Sequence, residues 1–385
     1  MEKIRSRSHY DLNDCKPNRE QTWLLHAAVS EGEQAINAWK LWRDNTDLDT
    51  VDPASFRLLP VAYRNLVSLG QDDPQIKRLK GVYRHTWYKN QMIYRQTEDI
   101  LAGFADAGLS PMVLKGAALT ERFYHDDGIR FMNDVDLMVP ELEFERAAAL
   151  MKKLDWQPHL YSQEAMLWYY RHRFKHGCAF KKNNIEVDLH SQLLRFLPQD
   201  DETLWSSSNE GYWRGQRVHF LNDTDQLFHT CVHGVRWSYA FLSWIPDALI
   251  ILQDKSPDIS WDSLVQKSIQ TRTILYLRNA FAYLVDEFQA PIPDEVIRQL
   301  RELPVSWIEK REYRTMGQVQ TNSIPYQLRR VVLQSSRYRS SSQSPGRPIG
   351  LSLTAWIQFL FVHFHPPGLL VKVKAFYRKL LGTLN

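Results

Sequence analysis

Between Arg130 and Pro140 the chain reads RFMNDVDLMVP, which places Asp134 and Asp136 one residue apart inside an otherwise apolar run. Side chains two apart on a β-strand share a face, so an extended run projects both carboxylates together while Val135, Leu137 and Val139 face the other side. By the rise per residue the carboxylates would stand about 6 to 7 Å apart. Like charges at that range on a half-buried strand repel and lose hydration, and a divalent cation relieves both costs. Magnesium suits the pair, since it takes hard oxygen ligands and keeps positions open for water or phosphate.

A third acid extends the pattern. IEVDLH, residues 185–190, alternates in the same manner and sets Asp188 on the face opposite Val187 and Leu189, together with Glu186 and His190. If the two strands are neighbours, Asp188 completes a cluster of three carboxylates. Three acids around two metal ions meet the needs of nucleotidyl transfer, one ion binding the triphosphate and the other lowering the pKa of the attacking hydroxyl. His190 reads as a residue of strand-end packing or a support behind the acids.

Around these strands the hydrophobic period changes twice. From Gln21 to Gly108 apolar residues recur at intervals of three and four, with Pro53, Pro60 and GQDDP dividing several helices and Gly108 at a helix C-cap. PMVL, NDVDLMV, CAFKK and IEVDLH then read as short strands, the last two joined by an Asn183-Asn184 turn. Helical spacing returns at Asp223, where Asp223 and Gln226 match a capping box. The expected architecture is α+β: a helical N-terminal region (1–109), a small mixed α/β core (110–221), a C-terminal helical domain (222–338), and a flexible linker with a basic amphipathic tail (339–385).

VLKGAALTERFY, GIRFMNDVDLMVP and IEVDLH together resemble the DNA polymerase beta-type nucleotidyltransferase superfamily, and within it a bacterial branch of uncharacterised nucleotidyltransferases with LKG, R-x-M-x-D-x-D-L and D-L-H blocks. The likeness extends weakly from about Leu24 to Leu252, through FRLLPVAYRNL, HGVRW and PDALIIL. It implies that Asp134 and Asp136 ligate the metal and that Asp188 shares it or takes the acceptor proton. Gly116 would let backbone approach a phosphate. Lys115 and Arg130 are the cations chosen for the triphosphate on physical grounds. His233, in HGVRW, would line the cleft from the helical side.

The expected activity is Mg2+-dependent transfer of a nucleoside monophosphate from an NTP, ATP included, to a hydroxyl of a small molecule, sugar, peptide or protein, with two ions accommodated. Ala117 stands where the superfamily commonly has Gly or Ser, which motivates the alternative of a catalytically inactive binding module. An RNA-modifying transferase is a further alternative, distinguished by steep salt dependence.

Composition narrows the rest. A net charge of +4 is small against 48 basic and 44 acidic side chains, so it makes no case for nucleic acid as a partner. WYYRHRFKH, the main basic and aromatic cluster, reads as an amphipathic helix running into a strand. Cys15, Cys178 and Cys231 are odd in number and far apart, which argues against a disulfide framework and for a reducing, cytoplasmic setting. His229 and His233 have zinc spacing but lack the glutamate and third ligand of a zinc helix. No phosphate loop, dinucleotide fingerprint or hydrolase elbow occurs. The tail after Ala355 joins an apolar run to a basic stretch, a pattern more often packed on the body than laid on a membrane surface.

Overall fold

The computed structural model describes residues 10–12, 16–159, 176–194, 201–237, 242–316 and 332–333. Met1–Arg195 and Gln199–Val319 form one compact unit; the second, Phe196–Pro198 with Gln320–Asn385, contains the expected linker and tail and lies outside the described residues apart from 332–333. Most of WYYRHRFKH also lies outside them.

Four helices open the first unit: α1 (Arg19–Val29), α2 (Gly32–Asn45), α3 (Pro53–Ser68) and α4 (Pro74–Asp106). Asn18 and Gln21 cap α1 reciprocally, and Asp52 and Asp73 cap α3 and α4 ahead of a proline at the first helical position. Pro60 does not divide two helices as the sequence suggested; it lies buried inside α3. A proline there costs about 3 kcal/mol, offset by the burial of Leu58, Leu59, Val61 and Ala62 around it. Gly108 ends α4 at a φ of 71°, and the Gly108 and Leu109 amides donate back to Ala105 and Phe104 at 2.9 and 2.8 Å. That is a Schellman closure, which needs a residue free to turn left-handed.

The sheet has seven strands: β1 (Met112–Leu114), β2 (Asp134–Met138), β3 (Gln157–Pro158), β4 (Gly177–Lys182), β5 (Ile185–His190), β6 (Asn209–Trp213) and β7 (Gln216–Phe220). They are ordered β3-β4-β5-β2-β1-β7-β6, with β2 parallel to β5, β1 parallel to β7 and the other pairs antiparallel. The chain is α+β, as expected, and all seven strands fall between Met112 and Phe220. Asn183 and Asn184 both take positive φ in the β4–β5 turn, the geometry that a tight two-residue hairpin requires. β3, β6 and β7 are strands that the sequence reading did not pick out.

Period-two alternation gives this sheet two unlike faces. Val135, Leu137, Val187 and Leu189 share a core with Ile93, Ile100 and Phe104 of α4 and with Phe144, Ala147 and Met151 of α6 (Phe144–Lys153). At about 1.5–3 kcal/mol for each fully buried large side chain, this face fixes the register. The other face carries Asp136, Asp188 and His190.

Between β1 and β2 run the short α5 (Lys115–Leu119) and a π-helical turn through Tyr124. After α7 (Asp201–Ser206) and the β6–β7 hairpin, the helical region comprises α8 (Asp223–Trp237), α9 (Trp244–Leu252), α10 (Trp261–Gln270), α11 (Ile274–Phe288), α12 (Asp294–Glu302) and α13 (Trp307–Met316). The cap of α8 is Asn222, one residue earlier than the sequence suggested: its side-chain oxygen accepts from the Asp225 amide at 2.8 Å. Asp223 is instead engaged by Arg122, at 2.6 Å. Among the described residues no helix is long and apolar enough to cross a membrane.

Gly234 is where α8 and α9 come closest, since a Cβ there would lie 2.4 Å from Trp244 Cβ and 2.3 Å from its Cγ. Gly234→Ala is therefore expected to destabilise the fold by about 1–3 kcal/mol through overpacking, read as a lower urea midpoint with an unchanged slope. A midpoint equal to wild type would show that the two helices can separate without loss.

Candidate active site

Register brings the acids together. In the parallel pairing of β2 with β5, Asp136 lies opposite Asp188 and Met138 opposite His190, while Leu114 of β1 pairs with Asp136 from the other side. Asp136 is 4 % exposed. One of its oxygens, Oδ1, accepts both from His190 Nε2 at 2.9 Å and from the Lys115 ammonium. His190 Nε2 is also 4.0 Å from Asp188 Oδ2. Asp136, Asp188 and His190 can each offer a ligand atom within 4.8 Å of the others, and Asp134 stands outside that group.

Lys115 reaches Asp136 from an unusual backbone. Its φ of 49° places a non-glycine residue in the left-handed region at the junction of β1 and α5, at a cost of about 1–2 kcal/mol. The turn aims the ammonium at the acids, a local strain of the kind that marks functional sites. Gly116 follows, and a Cβ there would lie 2.8 Å from Met132 Cγ and Sδ, so packing under Met132 accounts for this glycine.

The charges are strongly unequal. Burial would raise the Asp136 carboxyl, but Lys115 and His190 outweigh it and hold this group far below the usual carboxylate range. At Asp134 burial, then Asp136, then Asp188, outweigh the Lys115 attraction and push it up to about 7. Burial and Asp136 raise Asp188 too. Burial works against the Lys115 charge, yet the Asp136 attraction prevails and raises its pKa. Two of three carboxyls are thus held back from ionising, first by burial and then by the Asp136 charge.

Those donors fit a divalent cation. The oxygens are hard, Asp188 Oδ1 is buried without a hydrogen-bond partner, and the Lys115 ammonium already stands as a cation against Asp136. Asp136 and Asp188 would hold the ion, with His190 alongside and Asp134 nearby but outside that group.

A cavity of about 290 Å³ opens over the acids, lined on one side by Arg57, Lys115, Arg130, Asn133 and Asp134 and on the other by His229, Thr230, His233, Ser243 and Trp244. Arg57, on α3, lies over the Phe131 ring at 5.2 Å, and Lys89, on α4, at 4.2 Å while donating to Asn133 Oδ1 at 2.5 Å. Burial lowers both pKa values, helped at Arg57 by Arg130 and at Lys89 by Arg57. Crowded, partly desolvated cations of this kind favour an anion. The opposite wall is neutral: burial, then the Lys115 charge, press His229 down to about 3 and His233 well below its ordinary value.

Of the residues expected from sequence, Lys115, Gly116, Arg130, Asp134, Asp136 and His233 line this cavity, and Asp188 joins Asp136 from β5. Arg130 is engaged within the protein: its Nε donates to both Asp247 oxygens at 3.0 Å, Nη2 lies 2.9 Å from Oδ2, and Nη1 donates to the Phe131 carbonyl. Tyr124 donates to the same Asp247 at 3.0 Å. Arg57, Lys89, Asp247 and Trp244 escaped the sequence reading. Each comes from a helix remote in sequence from the acids, and only the third spatial dimension unites them.

Asp134 gives a pH test. Its native pKa lies above the unfolded value, so the native state binds more protons, and the stability this group confers at low pH is lost as pH rises through about 7. Without divalent cations, Asp134→Asn should raise the melting temperature most at pH 8, less at pH 5, and leave it nearly unchanged only below the ordinary carboxylate value, about pH 4. A fall at pH 8 would mean that the carboxylate is attracted more than it is repelled.

Comparison with known proteins agrees with this geometry. No curated protein matches the chain. Residues 54–288, more than half of the chain and spanning every residue of the cavity, match the family described as uncharacterised nucleotidyltransferase. The protein belongs to that nucleotidyltransferase family, whose reaction implies a nucleotide substrate.

Proposed function

We propose that the protein transfers a nucleoside monophosphate from an NTP to a hydroxyl acceptor with a divalent cation, magnesium by the hardness of the carboxylates. The observation that carries this reading is the placement of Asp136 beside Asp188 at the floor of a cavity bordered by Arg57, Lys115 and, through Asn133, Lys89. Bound there, the cation would lower the pKa of the acceptor hydroxyl and neutralise charge developing on the α-phosphate. The acceptor oxygen bonds to the α-phosphorus as the bond to pyrophosphate breaks.

The protein's own groups do the remaining work. Arg57, Lys89 and Lys115, the last released from Asp136 when a cation replaces it, would hold the triphosphate. Asp188, already biased toward its protonated form, is the group suited to take the hydroxyl proton. Arg130 does not need to touch phosphate: bound to Asp247, it ties the segment before β2 to α9 and keeps the cavity shaped. The neutral wall of His233, Thr230, Ser243 and Trp244 would orient the acceptor.

Calorimetry with the four NTPs and Mg2+ tests the reading; heat with at least one is expected, and silence from folded protein would count against it. Asp134→Asn is the informative variant, because Asp136→Asn would strand the buried Lys115 charge and cost about 3–5 kcal/mol in stability. Asp134→Asn should lower pyrophosphate release by about 100-fold or more, as expected for a lost transition-state charge contact, while NTP heat persists. Full turnover in this variant would remove Asp134 from the mechanism.

One observation favours a second reading. The Lys115 ion pair already neutralises Asp136, as a non-catalytic module retaining the nucleotidyltransferase shape would require. NTP binding that is indifferent to divalent cations, with no pyrophosphate released, would support it.

A further inference from the structure

We infer that His190 is itself a metal ligand, so that Asp136, Asp188 and His190 form a mixed oxygen and nitrogen centre that favours a first-row transition ion over magnesium. This deepens the reading above and rests on the same carboxylates.

Three observations converge on the imidazole. His190 is 4 % exposed, yet its Nε2 is turned toward the acids, 2.9 Å from Asp136 Oδ1 and 4.0 Å from Asp188 Oδ2. The three residues are the group of possible ligands that meets within 4.8 Å among the described residues, and the nearby Asp134 is not one of them. Asp188 Oδ1 and His190 Nδ1 are both buried without a hydrogen-bond partner, so the cluster has unspent polar capacity on β5.

The strand register explains why the histidine is there. His190 is two residues beyond Asp188 on β5, hence on the same face, and is paired with Met138 rather than with another acid. Asp134 occupies the corresponding position at the opposite end of β2, beside Glu186. A cation drawn toward His190 would meet two carboxylates and a nitrogen; one drawn toward Asp134 would meet oxygens alone.

In the metal-free protein the Nε2 proton bridges to the ionised Asp136. A metal bond would take the Nε2 lone pair and leave a proton on Nδ1, which is buried beside Gly177. The Lys115 ammonium leaves Asp136 Oδ1 and turns to the cavity that it already lines. Magnesium discriminates against imidazole nitrogen, whereas first-row transition ions accept it, and manganese(II) also tolerates two carboxylates and open water positions.

The experiment uses the full chain, stripped with chelator and titrated with Mn2+. Pulsed electron paramagnetic resonance of bound Mn2+ should show ¹⁴N modulation that converts to the ¹⁵N pattern when histidine is ¹⁵N-labelled. His190→Asn should abolish that modulation and weaken Mn2+ binding by about tenfold or more, while Mg2+ affinity, measured by competition, moves less than about threefold. Labelled wild-type protein answers the question even if the variant fails to fold. An Mn2+ site with oxygen ligands only, nitrogen modulation that survives in His190→Asn, or no Mn2+ binding would each overturn the assignment. NTP binding with Mg2+, followed separately by calorimetry, shows whether the nucleotidyltransferase reading stands without it.

Discussion

Everything at the site follows from burying the Asp136 carboxylate. An ion removed from water needs compensation, and here Lys115 and His190 supply it at a single oxygen. Lys115 accepts a left-handed backbone to do so, and His190 is placed for it by strand alternation. Satisfying Asp136 engages Lys115 and His190 closely, while burial and the Asp136 charge still outweigh the attraction felt by Asp134 and Asp188. The centre is therefore one well-paired acid and two poorly paired ones, a charge distribution that a divalent ion would level.

The surrounding cavity divides the same problem by sign. Cations from α3 and α4 gather on one side, each made less comfortable by its neighbours, while neutral imidazoles and hydroxyl groups from α8 and the start of α9 face them. A nucleotide is anionic at one end and neutral elsewhere, as is the pair of substrates that a nucleotidyl transfer brings together. Arg130 contributes by joining the two sides through Asp247, and its charge is consumed in doing so.

How much of this could be read from the chain depended on whether the signal was local. The period of two in DVDLMV and IEVDLH carried the facing acids, and Asn183-Asn184 carried the hairpin, because strand geometry and turn chemistry act over a few residues. The β6–β7 hairpin was missed although Arg214-Gly215 also takes positive φ at both positions, since an arginine gives no turn signal. Pro60 misled because burial overrode its helix-breaking tendency. The capping carboxamide of Asn222 was passed over for the adjacent acid. Arg57 and Asp247 lay inside FRLLPVAYRNL and PDALIIL and Lys89 in no quoted block, but none was singled out: each is an ordinary helical residue until the fold sets it at the cavity.

The parallel register of β2 and β5 has a consequence for how such a protein can fail. Sliding one strand past the other by a single position would expose Val187 and Leu189 and thrust Asp188 and His190 into the hydrocarbon layer beneath α4 and α6. A slip of two positions would keep the oily layer facing inward yet draw Asp136 away from Asp188, because both patterns repeat on alternate residues of the same two segments. Odd slips would therefore ruin interior and reactive centre together, whereas even slips would spare the division of faces and still scatter the acids.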